Sequence, residues 1–146
     1  MRTAVDTSVL LDVLGADAEF GVASREALRA AYRAGALVAC SVVWAEVRGA
    51  FPDDESCAEA LRVLGIRFDA LGPDAATLAG RLWKEHRARK GSDRRRVVAD
   101  FQIGAHARVQ ADALLTRDRG FYRAYFAGLH VNDPTGRARG TRPRPE

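Results

Sequence analysis

Five short strand-like runs, residues 3–5, 36–40, 66–71, 113–116 and 129–131, punctuate the chain, of which 36–40 is continuously apolar, and longer stretches with apolar residues every three or four positions separate most of them. Continuous apolar runs of this length suit strands covered on both faces, and strands that alternate with helices pair in parallel through crossovers. The pattern predicts a three-layer α/β fold, a central and mainly parallel β-sheet flanked by helices. At 146 residues the chain is long enough for one core without disulfide or metal support. Residues 1–133 carry the periodic pattern, whereas 134–146, DPTGRARGTRPRPE less its first residue, offer no apolar anchor and are expected to be a disordered basic tail.

The strand exits hold the chemistry. Asp6 follows the first strand-like run and precedes a helix-like stretch, and in open α/β sheets the ligand crevice lies beyond the carboxyl ends of the strands. An Asp, Thr or Ser at that place also suits a helix cap, so Asp6 has a structural reading beside the chemical one. Asp118 repeats the situation after the fourth run. Glu46 lies between Val43 and Ala50 on an apolar helix stripe and is expected to face inward, and Asp100 shares a helix face with Ile103, Gly104 and Ala107. Gly104 is expected to admit another backbone closely.

If these strands are neighbours, four carboxylates converge. Such a cluster repels itself unless a cation joins it, and an all-oxygen set suits Mg²⁺ or Mn²⁺. His86, His106 and His130 are scattered, and Cys40 and Cys57 have no ligand spacing, which argues against zinc and for packed histidines and buried thiols.

Charge is segregated. Residues 1–80 hold 7 basic and 12 acidic side chains, a net of −5, whereas 81–96 hold 8 and 2, a net of +6. An acidic body beside a basic belt suits a cation in one place and a polyanion in another. Metal-assisted hydrolysis of a phosphodiester would use both, with Arg94, Arg95, Arg96, Arg117 and Arg119 on the phosphate backbone. Phe121, Tyr122 or Tyr125 could stack a base, although core packing is the commoner use of such aromatics. The longest apolar run, residues 34–45, is too short and too interrupted to span a membrane. The chain enters its first strand without a signal-type segment, and a cytoplasmic protein is expected.

Four segments together, VDTSVLLD, SVVWAEVRGA, VADFQIGAHA and LLTRDRGFY, resemble the PIN-domain ribonucleases, and among them the VapC toxins of bacterial toxin–antitoxin pairs. The resemblance covers nearly all of residues 2–131. It puts the family's acidic quartet, catalytic and metal-binding, on Asp6, Glu46, Asp100 and Asp118, with Ser8 and Thr116 as supporting polar positions. Ser8 stands where relatives often have Asn. The resemblance implies an Mg²⁺- or Mn²⁺-dependent endoribonuclease that blocks translation by cutting tRNA or ribosomal RNA. It also implies a homodimer and a VapB-type antitoxin, with the helices near residues 20–34 and 57–64 as surfaces for partner or dimer. Two other readings compete: a PIN-like module that binds RNA or protein without cutting, and a phosphatase of the haloacid dehalogenase type. The latter wants a second Asp two residues after the first, where this chain has Ser8.

Overall fold

The computed structural model describes residues 1–136. Five strands form one parallel sheet: β1 (Arg2–Val5), β2 (Ala36–Cys40), β3 (Ile66–Asp69), β4 (Ala113–Leu115) and β5 (His130–Asn132), in the order β3-β2-β1-β4-β5. Seven helices connect them: α1 (Thr7–Leu14), α2 (Gly21–Ala34), α3 (Ser41–Arg48), α4 (Asp54–Val63), α5 (Pro73–Ala88), α6 (Val98–Gln110) and α7 (Arg119–Tyr125). The chain winds outward from β1 through β2 to β3, then crosses back to β4 on the other side. With right-handed crossovers the helices before and after that return cover opposite faces, which makes the predicted three layers.

The central strands are apolar because both of their faces are covered. Val5, Leu37, Val38, Ala39, Leu114 and Leu115 are all at most 2% exposed. The registers Val5↔Leu115 and Leu115↔Asn132 bring the C-terminal ends of β1, β4 and β5 level, and Asp6 N donates to Leu115 O at 2.9 Å as the ladder runs out. The direction of chain travel reverses between β1 and β4, where an open parallel sheet splays its loops apart.

Behind the sheet, Phe101 of α6 packs against Phe121 and Tyr125 of α7 at ring distances of 5.2 and 5.1 Å, and against His86 of α5. This aromatic cluster ties the three helices on that side together. His86 and His106 are buried as expected, His106 bonding Asp69 at 2.7 Å, and Cys40 and Cys57 are buried free thiols.

Several boundaries differ from expectation. Helix α3 ends at Arg48, where the guanidinium turns back to bond Phe51 O at 2.8 Å and closes the chain into a bend, short of the Pro52 that would stop a helix from the sequence alone. Ser41, the first residue of that helix, turns its hydroxyl away to accept from Leu71 N at 3.2 Å. Strand β3 stops at Asp69 instead of residue 71, where Gln110 takes over Ala70 O and Gly72 N. Gly104 faces the Phe126 ring, a side chain and not a backbone. Of the expected tail, residues 134–136 form a turn on Asp133, with Thr135 N bonded to its carboxylate at 2.8 Å, and residues 137–146 lie outside the described residues. No helix among the described residues is long and apolar enough to cross a membrane.

Candidate active site

Asp6 is both cap and crevice residue. It holds the N-cap of α1 in extended conformation, one carboxylate oxygen accepting from Thr7 N at 2.7 Å. The other oxygen accepts from the Thr116 hydroxyl at 2.7 Å. Thr116, fully buried just past β4, also accepts from Asp118 N at 3.0 Å, so one hydroxyl sets the positions of two acids from opposite ends of the chain. On the far side Thr7 donates its hydroxyl to Glu46 at 3.0 Å. Burial pushes the Asp6 carboxyl up to about 6, against the Thr116 and Thr7 bonds that lower it, and the charges of Glu46 and Asp118 add to the rise.

Tyr122 feels the charge of the remaining acid, Asp100, as well as that of this group. Its phenol is buried beside Phe121 and Phe126, and burial, then the charges of Asp6, Asp100 and Asp118, push it well above the usual tyrosine range. Being four residues beyond Asp118, it sits under that residue on α7. Asp6, Glu46 and Asp118 are therefore linked at the switch point of the sheet, and Asp100 is near enough for its charge to act on Tyr122.

They do not meet at one point. Glu46 is exposed, contrary to the inward orientation expected of it, because the stripe of α3 that packs is Val43 and Val47, and Glu46 lies beside that stripe where it reaches only Thr7. Asp100 turns back to accept from Val97 N at 3.0 Å, closing the first turn of α6. Asp118 is clasped by Arg96, through Nη2 to Oδ1 at 3.1 Å and a shorter contact from Nη1 to Oδ2. Among the described residues no three acidic, histidine or cysteine side chains stand close enough together to hold an ion.

The chemistry of the donors is nevertheless of the kind a hard divalent cation prefers. The set consists of oxygens, it places a strained negative charge on Asp6, and it leaves the Ser8 hydroxyl buried without a partner among the described residues.

The expected phosphate-binding arginines divide. Arg94 and Arg119 are exposed, but Arg95 pairs with Asp93, Arg96 with Asp118 and Arg117 with Asp12. Arg117 and Arg96 are thus structural cations as they stand, since each answers a carboxylate that the fold brings within reach. A basic cavity of about 660 Å³ adjoins them, lined by Trp83, Arg87, Arg89, Lys90, Arg94 and Arg96 among others. Phe121 and Tyr122 are buried and so are core, not stacking platforms. Sequence reasoning passed over Asp12, 5% exposed, which accepts from Ser24 at 2.8 Å and from Arg117 at 2.7 Å and so anchors the turn that carries Thr116 and Asp118. Its signal was present: Ser8 and Asp12 are four apart in VDTSVLLD and share a helix face. Thr7, the bridge to Glu46, stands in the same motif.

Known proteins carry the same arrangement of elements. No curated protein matches the chain. Among solved structures, VapBC2 from Rickettsia felis bound to a DNA fragment of its promoter aligns with a TM-score of 0.66 at 16% identity, covering 91% of this chain and 98% of that one. DNA-bound VapBC from Salmonella typhimurium aligns with a TM-score of 0.66 at 17% identity, over 92% and 98%. VapC20 of Mycobacterium tuberculosis, a toxin that cleaves the sarcin–ricin loop, aligns with a TM-score of 0.58 at 14% identity, over 88% and 98%. These identities speak to fold. The sequence profile of the PIN domain matches residues 3–127, from the first strand to the end of α7 and with all four acids inside it, and the chain belongs to the PIN domain family.

Proposed function

We propose that this protein is a VapC-type toxin, an endoribonuclease that depends on Mg²⁺ or Mn²⁺ and acts on RNA in the cytoplasm. One observation supports the reading: Asp6 and Asp118, at the C-terminal ends of β1 and β4, share the Thr116 hydroxyl, Glu46 joins Asp6 through Thr7, and Asp118 is gripped by Arg96 of the adjacent basic cavity. Asp6, Glu46, Asp100 and Asp118 would hold the ion, and Ser8 would turn its unpartnered hydroxyl toward it. When bound, a divalent ion supplies the positive charge that activates water and steadies the phosphate in an in-line displacement. Thr116 fixes Asp6 and Asp118 at a set separation, which limits the reorganisation required of them. Arg87, Arg89, Lys90, Arg94 and Arg119 would hold the phosphate backbone of a tRNA or ribosomal RNA.

A VapB-type antitoxin and a second copy of the chain are the proposed partners. A groove between α2 and α4, lined by Val13, Leu28, Tyr32, Val63 and Leu64 with Arg25, Arg29 and Arg33 at its margins, suits an amphipathic acidic segment. The phosphatase reading fails on Ser8. The non-catalytic reading draws support from the Arg96–Asp118 pair, which neutralises an acid the nuclease would need.

The test is RNA cleavage by the purified protein. Mn²⁺ supports cutting, EDTA stops it, and Asp6→Asn and Asp100→Asn each fold but cut at least about 100-fold more slowly. Cutting that survives exhaustive chelation, or variants as fast as the parent, would exclude the acidic-site mechanism.

A further inference from the structure

Arg96 stands where two sites meet. Its guanidinium bonds both oxygens of Asp118, and its face lies on the Phe121 ring with Cζ 4.1 Å from the ring centre. The same residue lines the basic cavity together with Arg87, Arg89, Lys90 and Arg94. It belongs to the connection between α5 and α6, outside any helix or strand, so no backbone ladder holds it in place. Its charge also feels Asp100, four residues further on.

A divalent ion at Asp118 would share with Arg96 the two oxygens that the guanidinium now grips, and two cations on one carboxylate repel each other, so they compete for it. Arg96 displaced from Asp118 swings toward four other cations, which repel it. A phosphate in the cavity removes that repulsion and offers the guanidinium a two-pronged partner equivalent to the carboxylate it left. We propose that Arg96 is a resident counter-ion of Asp118, displaced by the divalent cation and drawn off by nucleic-acid phosphate in the adjacent cavity, so that metal and nucleic acid promote each other's binding. The inference rests on the metal site proposed above and adds to it a coupling between cofactor and substrate. Such coupling is reciprocal: whatever factor phosphate adds to metal affinity, metal adds to phosphate affinity.

Titration of the full-length protein with Mn²⁺, followed by the electron paramagnetic resonance of the free ion, reads the competition without any need for cleavage. Arg96→Gln is expected to bind Mn²⁺ about tenfold more tightly than the parent. Arg96→Lys, which keeps the charge but loses the two-pronged grip, falls between them. Arg81→Gln, an equal loss of charge at an exposed site on α5, leaves the affinity unchanged. Anisotropy of a labelled oligothymidylate gives the second readout: Mn²⁺ strengthens its binding to the parent, and the factor shrinks in Arg96→Gln. If Arg96→Gln binds Mn²⁺ no more tightly than the parent does, the counter-ion role is wrong while the metal site stands. If neither the parent nor Arg96→Gln binds Mn²⁺ at any attainable concentration, the metal site falls and this inference with it.

Discussion

Asp6 is 8% exposed, and burial, with a smaller push from the charges of Glu46 and Asp118, outweighs its two hydrogen bonds and moves its carboxyl from 3.8 up to about 6. A native carboxyl whose pKa is raised binds its proton more tightly than the unfolded chain does. Stability from this group is therefore complete below the unfolded value of 3.8 and is lost as the pH climbs through about 6. The loss amounts to about 3 kcal/mol by neutral pH. Asp6→Asn removes the charge, so in EDTA at neutral pH the variant should melt roughly 6–10 °C above the parent, with the gap closing toward pH 4. Thermal melts across that range check it, and equal melting temperatures at neutral pH would show that the buried charge costs nothing. Mn²⁺ should narrow the gap by stabilising only the parent. The place of Asp6 was legible because a carboxylate at a strand exit has few destinations. The orientation of Glu46 was not, because its position beside the α3 stripe allows either side and the decision falls to Thr7, a residue 39 positions away.

Helix α6 carries Asp100, and Asp118 stands at the N-cap of α7. Packing is tight at Gly104, where a Cβ would collide with the Phe126 ring. Gly104→Ala should therefore destabilise the protein by about 1–3 kcal/mol despite the better helix propensity of alanine. Phe126→Leu makes room, so the double variant should recover part of the loss, a favourable coupling that denaturant melts of all four proteins would measure. Strictly additive losses would mean that the ring is not what Gly104 accommodates. The sequence placed Gly104 on the face of Asp100, Ile103 and Ala107, because helical periodicity is local. Its neighbour was illegible, because Phe126 arrives from the C-cap of α7 and only the fold decides whether backbone or ring fills the gap. Strand ends were blurred for a related reason: β3 stops where Gln110, 41 residues beyond Asp69, takes over the hydrogen bonds.

Across the whole molecule the segregation of charge, −5 over residues 1–80 against +6 over 81–96, becomes a division of labour among cations. Arg95, Arg96 and Arg117 answer Asp93, Asp118 and Asp12, so composition alone overcounts what remains for a polyanion. Lys90 and Arg94 are exposed at the cavity, and each phosphate contact they make should release counterions on binding. Lys90→Ala and Arg94→Ala should each reduce the slope of log affinity against log salt for RNA by about 1, measured by anisotropy in EDTA over a range of KCl. Arg117→Ala should behave differently. It leaves the 5% exposed Asp12 with only Ser24 as its side-chain partner, costing about 2 kcal/mol of stability, but it should leave the salt slope unchanged. The contrast separates a cation that holds the fold from one that holds the ligand, which net charge cannot do. Equal slope changes in Arg117→Ala and Arg94→Ala would mean that the Asp12 pair opens on binding and that the phosphate path runs along the loop after β4 and not through the cavity.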